Sequence, residues 1–197
     1  KDFEFTFKAF QGLTHNIKSP TWKRSGLKEE ELKRIEKYVG ELKVNKVTME
    51  FWDKMLKYAQ ILDSKIIVIQ LPSSFVDNEN NIKQTKEFLK NVENKKIKIA
   101  LELRGWRDSS KKEIFENFDV IEVVDLNISF PSVKKDILYS RLHGKYEGNK
   151  IIYTYDYSKE ELENIKDKVL KLGSKVNYIL FNNSFMFKNA IEFISML

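Results

Sequence analysis

Apolar and polar positions alternate in two rhythms along this chain, and the switches between them predict its elements. From Phe3 to Ala9 every second residue is apolar, the two-residue period of a strand. Glu29 to Val39 reads as a helix. Met49 to Leu62 reads as another, with Phe51, Met55, Tyr58, Ala59 and Leu62 at helical spacing. Lys65 to Leu71 is a run of Ile and Val halted by Pro72, as in a strand buried on both faces. Lys83 to Val92 is predicted helical and Ile97 to Leu103 extended. Ser110 to Phe118 is a short helix for which Asp108 and Ser109 are the cap candidates. Val120 to Val124 and Ile137 to Leu142 are strands. Ser158 heads a helix reaching about Leu172, with Ser158-Lys159-Glu160-Glu161 as a capping box and Gly173 as its stop. Val176 to Phe181 closes the strands and Phe185 to Met196 the helices.

Strands alternating with helices predict an α/β protein built on a parallel sheet. The reading yields six strands, two short of the eight that close a barrel. The chain opens with Lys1 and enters a strand almost at once. Either the sheet is open, or more sequence precedes Lys1 in the natural protein. Without an internal repeat, low-complexity tract or linker, residues 1–197 are expected to form one domain.

Buried parallel strands are normally unbroken apolar runs, so the residues that interrupt these are informative. Lys8 shares a face with Glu4 and Thr6; Glu102 with Arg104; Arg141 with His143. With apolar partners turned toward helices, Lys8, Glu102, Arg104, Arg141 and His143 fall on the other face near the C-terminal strand ends, joined by Asn182 and Asn183. Parallel α/β folds bind ligands at such ends. Gln70 and Asp125 also end apolar strands, Asp125 as a cap for the next turn. Gln11 and His15 lie in the first loop. Trp22 and Trp106 are either platforms for bases or packing residues. The competing account of the cluster is an internal salt-bridge network in which Glu102 pairs with Arg104 or Arg141.

Composition narrows the chemistry. There is no Cys, so disulfides, thiol catalysis and cysteine-held metals are excluded within the chain, and two His make any metal site lean on carboxylates. The chain has 35 basic and 29 acidic residues, a formal charge of +6. That surplus suits nucleic acid or a phosphorylated small molecule. It is equally the product of mixed-sign helices such as Lys28-Glu29-Glu30-Glu31-Leu32-Lys33-Arg34. No apolar run has the roughly 20 residues of a membrane helix, and the N-terminus does not read as a signal peptide, so the expected location is cytoplasmic. The Lys, Glu and Ile content without Cys fits a heat-adapted protein. Glycine-rich nucleotide fingerprints and a GxSxG elbow are absent, and no cofactor is indicated.

The order of several short motifs resembles the YecE-like family, domain of unknown function seventy-two. They are Phe7-Lys8-Ala9-Phe10-Gln11 with Leu13-Thr14-His15, Val68-Ile69-Gln70-Leu71-Pro72-Ser73-Ser74-Phe75, and Ala100-Leu101-Glu102-Leu103-Arg104 with Trp106. Arg141-Leu142-His143-Gly144, Phe181-Asn182-Asn183 and Asn189-Ala190 follow in the same order. The resemblance implies a TIM-type barrel, with two further strand–helix units ahead of the Phe-Lys-Ala-Phe-Gln motif that this chain lacks. Where that family usually has a His-Pro-type dipeptide, this chain has Gly105. The resemblance implies no reaction. The expectation carried forward is a phosphate-recognising protein, with hydrolysis as its candidate chemistry and Glu102 and His143 as acid–base residues. Lys8, Gln11, His15, Gln70, Arg104, Trp106, Arg141, Asn182 and Asn183 would contact ligand. The alternatives are a non-catalytic scaffold and a metal-dependent sugar isomerase or epimerase.

Overall fold

The computed structural model describes residues 3–93, 96–148 and 150–197. They fall into two compact units, Lys1–Val120 and Ile121–Leu197. Each unit is α/β with parallel strands, as the alternation predicts.

In the first unit the elements run β1 (Thr6–Lys8), α1 (Glu29–Ile35), α2 (Lys46–Leu62), β2 (Ile66–Leu71), α3 (Glu79–Val92), β3 (Lys98–Leu103) and α4 (Asp108–Asn117). Two 3-10 turns, Gln11–Leu13 and Pro20–Arg24, follow β1. β1 pairs in parallel with β2, Lys8 opposite Val68, and β2 with β3, Gln70 opposite Glu102. β2 is the most buried strand, with Ile67, Ile69 and Leu71 fully inaccessible, which is why it reads as an unbroken apolar run. Between α2 and α3, Trp52 and Phe88 meet edge to face at 6.1 Å.

Four expectations shift here. The first strand is three residues long, not seven, because Phe3 and Phe5 are 73% and 48% exposed and meet each other edge to face at 4.8 Å. Their alternation marks a self-paired aromatic cluster rather than a core face. α1 stops at Ile35, short of Val39, because the next backbone groups bond the loop after β1: Gly40 N–H donates to Gly12 O and Leu42 N–H to Leu13 O. Asp108 and Ser109 do not cap α4. Asp108 is its first residue, and Arg107, at the cap position, caps nothing with its side chain. A distant carboxylate ties the helix start down instead: Asp77 accepts from Ser110 Oγ at 2.5 Å and from Arg107 Nε at 2.7 Å. α3 also begins four residues earlier than its apolar rhythm, at Glu79, because Asn78 Oδ1 caps Asn81 N–H at 2.9 Å.

The second unit runs β4 (Ile121–Val124), β5 (Ile137–Leu142), β6 (Lys145–Glu147), β7 (Lys150–Ile152), α5 (Lys159–Leu172), β8 (Val176–Phe181) and α6 (Met186–Ile194). β4, β5 and β8 are parallel, with Val123 opposite Tyr139 and Tyr139 opposite Tyr178. β6 and β7 form an antiparallel hairpin. α5 behaves as its sequence predicts. Ser158 Oγ accepts from Glu161 N–H, Glu161 Oε2 accepts from Ser158 N–H at 2.8 Å, and Gly173 ends the helix at φ +59°. Leu138 and Leu142 of β5 pack with Leu162, Ile165, Val169 and Phe193 of the helices. The opposite parity of β5 therefore carries Tyr139, Arg141 and His143 on the other face, where Tyr139 and Tyr178 stack at 5.6 Å.

Candidate functional site

In the first unit the strand register does what the alternation implied. Lys8, Gln70 and Glu102 share a face of β1–β3 because Lys8 stands opposite Val68 and Gln70 opposite Glu102. Arg104, one residue past β3, follows the same parity. Glu102 is 5% exposed, and its Oε1 accepts from Arg104 Nε at 2.5 Å in an ion pair whose arginine is exposed. Lys8 and Arg104 both act electrostatically on His15. Burial first, then these two cations, hold its imidazole below its ordinary value, so it is neutral at physiological pH. Thr14 Oγ1 lies 2.8 Å from His15 Nδ1 and fixes the ring further. Gln11 is half-buried, its Oε1 accepting from Thr21 Oγ1.

The tryptophans are packing residues in their geometry. Trp22 donates its indole N–H to His15 O at 3.1 Å, and Trp106 donates to Phe75 O at 2.8 Å while its ring stacks on Phe75. Both are buried, and so presented no open face. Lys18, Lys23 and Arg24 are exposed.

In the second unit Asp125, just past β4, collects four hydrogen bonds. Its Oδ1 accepts from Asn127 N–H at 3.0 Å; its Oδ2 faces His143 N–H at 3.0 Å, His143 Nδ1 at 3.2 Å and the Tyr146 hydroxyl at 3.2 Å. It also caps the turn as expected, Asp125 O accepting from Ile128 and Ser129 N–H. A carboxylate facing Nδ1 sets the imidazole in its Nδ1–H tautomer, leaving Nε2 as the basic nitrogen. Arg141 is half-buried on the same parity of β5.

At the end of β8, Asn182 is exposed and its N–H donates to Leu142 O at 2.7 Å. Asn183 is buried. Its Nδ2 donates to Tyr155 O at 2.6 Å and Asn189 Oδ1 at 2.7 Å, while its own Oδ1 is a buried acceptor without a partner.

Tyr157 was missed by sequence reasoning, which saw only a tyrosine in a loop. Its hydroxyl accepts from Gly144 N–H at 2.8 Å and Asn127 Nδ2 at 2.7 Å and donates to Gly144 O at 3.2 Å. Burial, then the Asp125 charge, push its phenol well above the ordinary value. The β6–β7 hairpin was missed as well, although Gly148-Asn149 between Lys145-Tyr146-Glu147 and Lys150-Ile151-Ile152 is a two-residue hairpin signal.

A cavity of about 640 Å³ lies at the start of α5 beside α6, with Tyr157 in its wall but not Asp125, Arg141 or His143. Its charges satisfy each other: Lys188 pairs with Asp156 at 2.6 Å, and Lys166 donates to Met196 O at 3.2 Å. Among the described residues no three His, Asp or Glu side chains group closely enough to hold a metal ion. No helix among them is long and apolar enough to cross a membrane.

Parallel strands alternating with helices, with buried, hydrogen-bonded ionisable residues at strand ends, define an α/β protein. The chain belongs to the DUF72 family: the family model described as "Protein of unknown function DUF72" matches residues 1–197. Two solved structures share its fold. A DUF72 family protein of Thermotoga maritima MSB8 is 20% identical with a TM-score of 0.63, and one of Enterococcus faecalis V583 is 18% identical with a TM-score of 0.62. Each match covers 99% of this chain and 74% of the other. No curated protein matches it. The resemblance drawn from the short motifs is the correct family.

Proposed function

We propose that the first unit binds a phosphate-containing ligand, a nucleic acid or a phosphorylated metabolite, at the C-terminal ends of β1 and β3. The observation that carries this is the joint action of Lys8 and Arg104 on His15. Two cations beside a neutral imidazole form a site that gains when an anion arrives, and a guanidinium fork suits phosphate oxygens. Glu102 then serves as the anchor that orients Arg104 through the Nε bond, rather than as a base. Gln70 and Gln11 lie beside this group as neutral hydrogen-bonding side chains. The second unit offers its own polar set at strand ends, Arg141 with Asn182 and Asn183, whose amides suit a sugar hydroxyl or a base edge. The fold that goes with this reading is a TIM-type (β/α) barrel, residues 1–197 contributing six of its strands. It is supported by parallel pairing in both units and by the fold shared with longer family members.

The test is the His15 imidazole followed by NMR during titration with inorganic phosphate, alongside fluorescence anisotropy with labelled single- and double-stranded oligonucleotides across a salt series. Bound phosphate raises the His15 pKa, and Arg104→Ala abolishes the response. Oligonucleotide binding that weakens linearly with log salt identifies nucleic acid as the source of the phosphate. A His15 resonance indifferent to phosphate, with no oligonucleotide binding at low salt, overturns the proposal.

A second reading rests on one observation, the pairing of buried Glu102 with Arg104. In a scaffold without ligand this pair is purely structural, and Arg104→Ala then costs stability while no ligand is bound.

A further inference from the structure

The second unit holds a group that the phosphate reading does not use. His143 is 3% exposed and Asp125 9%, yet both are ionisable, and the carboxylate meets the imidazole on its Nδ1 side. Their burial has an identifiable source. The β6–β7 hairpin leaves β5 at Gly144 and returns over the pair. Tyr146 of β6 donates its hydroxyl to Asp125 Oδ2, and the ring of Tyr153, just past β7, stands edge-on to the imidazole at 6.3 Å. The hairpin is itself thinly held: Lys145, Glu147 and Lys150 are exposed, and Tyr153 is 44% exposed. Elements with few buried contacts and exposed backbone are those that open locally. Gly144, at φ +103°, stays tied to the Tyr157 hydroxyl through its N–H and C=O, so the part of the hairpin free to lift lies beyond it.

We propose that Asp125 and His143 form an acid–base dyad and that the β6–β7 hairpin is its movable cover. Asp125 is the positioning residue: it fixes the Nδ1–H tautomer and steadies the imidazolium. His143 Nε2 is the proton-transfer atom, and its substrate is an O–H group, of a ligand or of water. The O–H bond breaks as an N–H bond forms at Nε2 and the electron pair stays on oxygen; the reverse transfer returns the proton from Nε2 to an oxygen. Tyr146 has two roles. With the cover closed its hydroxyl completes the shell around Asp125; with the cover lifted that bond exchanges for water. The inference stands independently of the phosphate site, since it uses no residue of the first unit.

The chain has two histidines, so each is resolved without ambiguity. The ring nitrogens of ¹⁵N-histidine-labelled protein report the tautomer, with His15→Gln assigning the signals. Carbethoxylation by diethyl pyrocarbonate reports access to a basic ring nitrogen, with His15 as the internal control. Wild type is expected to show His143 with Nδ1 protonated and Nε2 unprotonated, and Asp125→Asn to lose that preference. Tyr146→Phe combined with Tyr153→Ala, both at the cover, raises His143 carbethoxylation about tenfold, the effect of one lost hydrogen bond on opening, and leaves His15 unchanged. A His143 protonated at Nε2 in wild type overturns the dyad. A carbethoxylation rate unmoved by the double variant overturns the cover. The cover variant needs no change at Asp125, so it remains decisive if Asp125→Asn fails to fold.

Discussion

Removing the carboxylate of Asp125 tests how much of the second unit hangs on one acceptor. In Asp125→Ala, four donors lose their partner. The Tyr146 hydroxyl is half-buried and turns to water at little cost. The N–H of half-buried Asn127 also reaches water, but the N–H and the imidazole of His143 are both enclosed. Each orphaned buried donor costs about 1–3 kcal/mol. The two donors of His143 therefore give about 2–6 kcal/mol, and about 4 kcal/mol is the expected loss. Asp125→Asn keeps one carbonyl oxygen and should lose about half as much, roughly 2 kcal/mol by the same count. The assay is urea denaturation followed by far-UV circular dichroism, because Trp22, Trp52 and Trp106 all lie in the first unit and tryptophan emission does not report the second. With a slope of about 2 kcal/mol/M, a 4 kcal/mol loss moves the midpoint by about 2 M. A midpoint unmoved by Asp125→Ala would show that water replaces the carboxylate without cost, and would refute the view of Asp125 as the hub of the strand ends.

Three further outcomes are expected. Gly144→Ala meets both a left-handed φ of +103° and a Cβ position 2.4 Å from Ile152 O, so a loss of about 3 kcal/mol is expected in thermal melts. Ser158→Ala removes the cap of α5 and should cost about 1 kcal/mol in urea titrations, with Ser158→Gly costing less. Asp77 is held at a pKa of about 2 by the Ser110 hydroxyl and then by Arg107. Because its folded value lies below its ordinary one, its contribution is present above about pH 4 and disappears as pH falls toward 2. Asp77→Asn should flatten the acid limb of stability in that window, and an unchanged acid limb would disprove the assignment.

Where local sequence sets local structure, the elements were legible. Ser158 to Gly173 carries its own start, rhythm and stop, and β5 and β8 are bounded as their apolar runs predict. Legibility failed where a distant partner decides. The start of α4 is tied down through the Arg107 and Ser110 side chains by Asp77, which lies 30 residues before Arg107, and no local pattern announces that. The end of α1 is decided by carbonyls of Gly12 and Leu13. Alternation misled at Phe3 and Phe5, since a ring pair in solvent has the same period as a strand. For the candidate residues, parity was readable: Arg141 and His143 do lie opposite Leu138 and Leu142, which pack on the helices. Partner choice was not. Nothing in the spacing of Asp125 and His143 says that they meet, nor that Tyr146 reaches the same oxygen.

The Tyr157 hydroxyl has a consequence for how the second unit folds. It joins the turn after β4 through Asn127, the hairpin base through Gly144 and the entry to α5 through its own backbone, which donates to Asn189 Oδ1 at 3.4 Å. Its ring lies in the apolar cluster with Leu142 and Phe193. Three loops drawn from 30 residues of sequence thus share one oxygen, and none can complete its bonding before the others arrive. Loops tied in this way order in a single concerted step, and the Gly144 amide should exchange with solvent at the rate of that whole step rather than of a fraying turn.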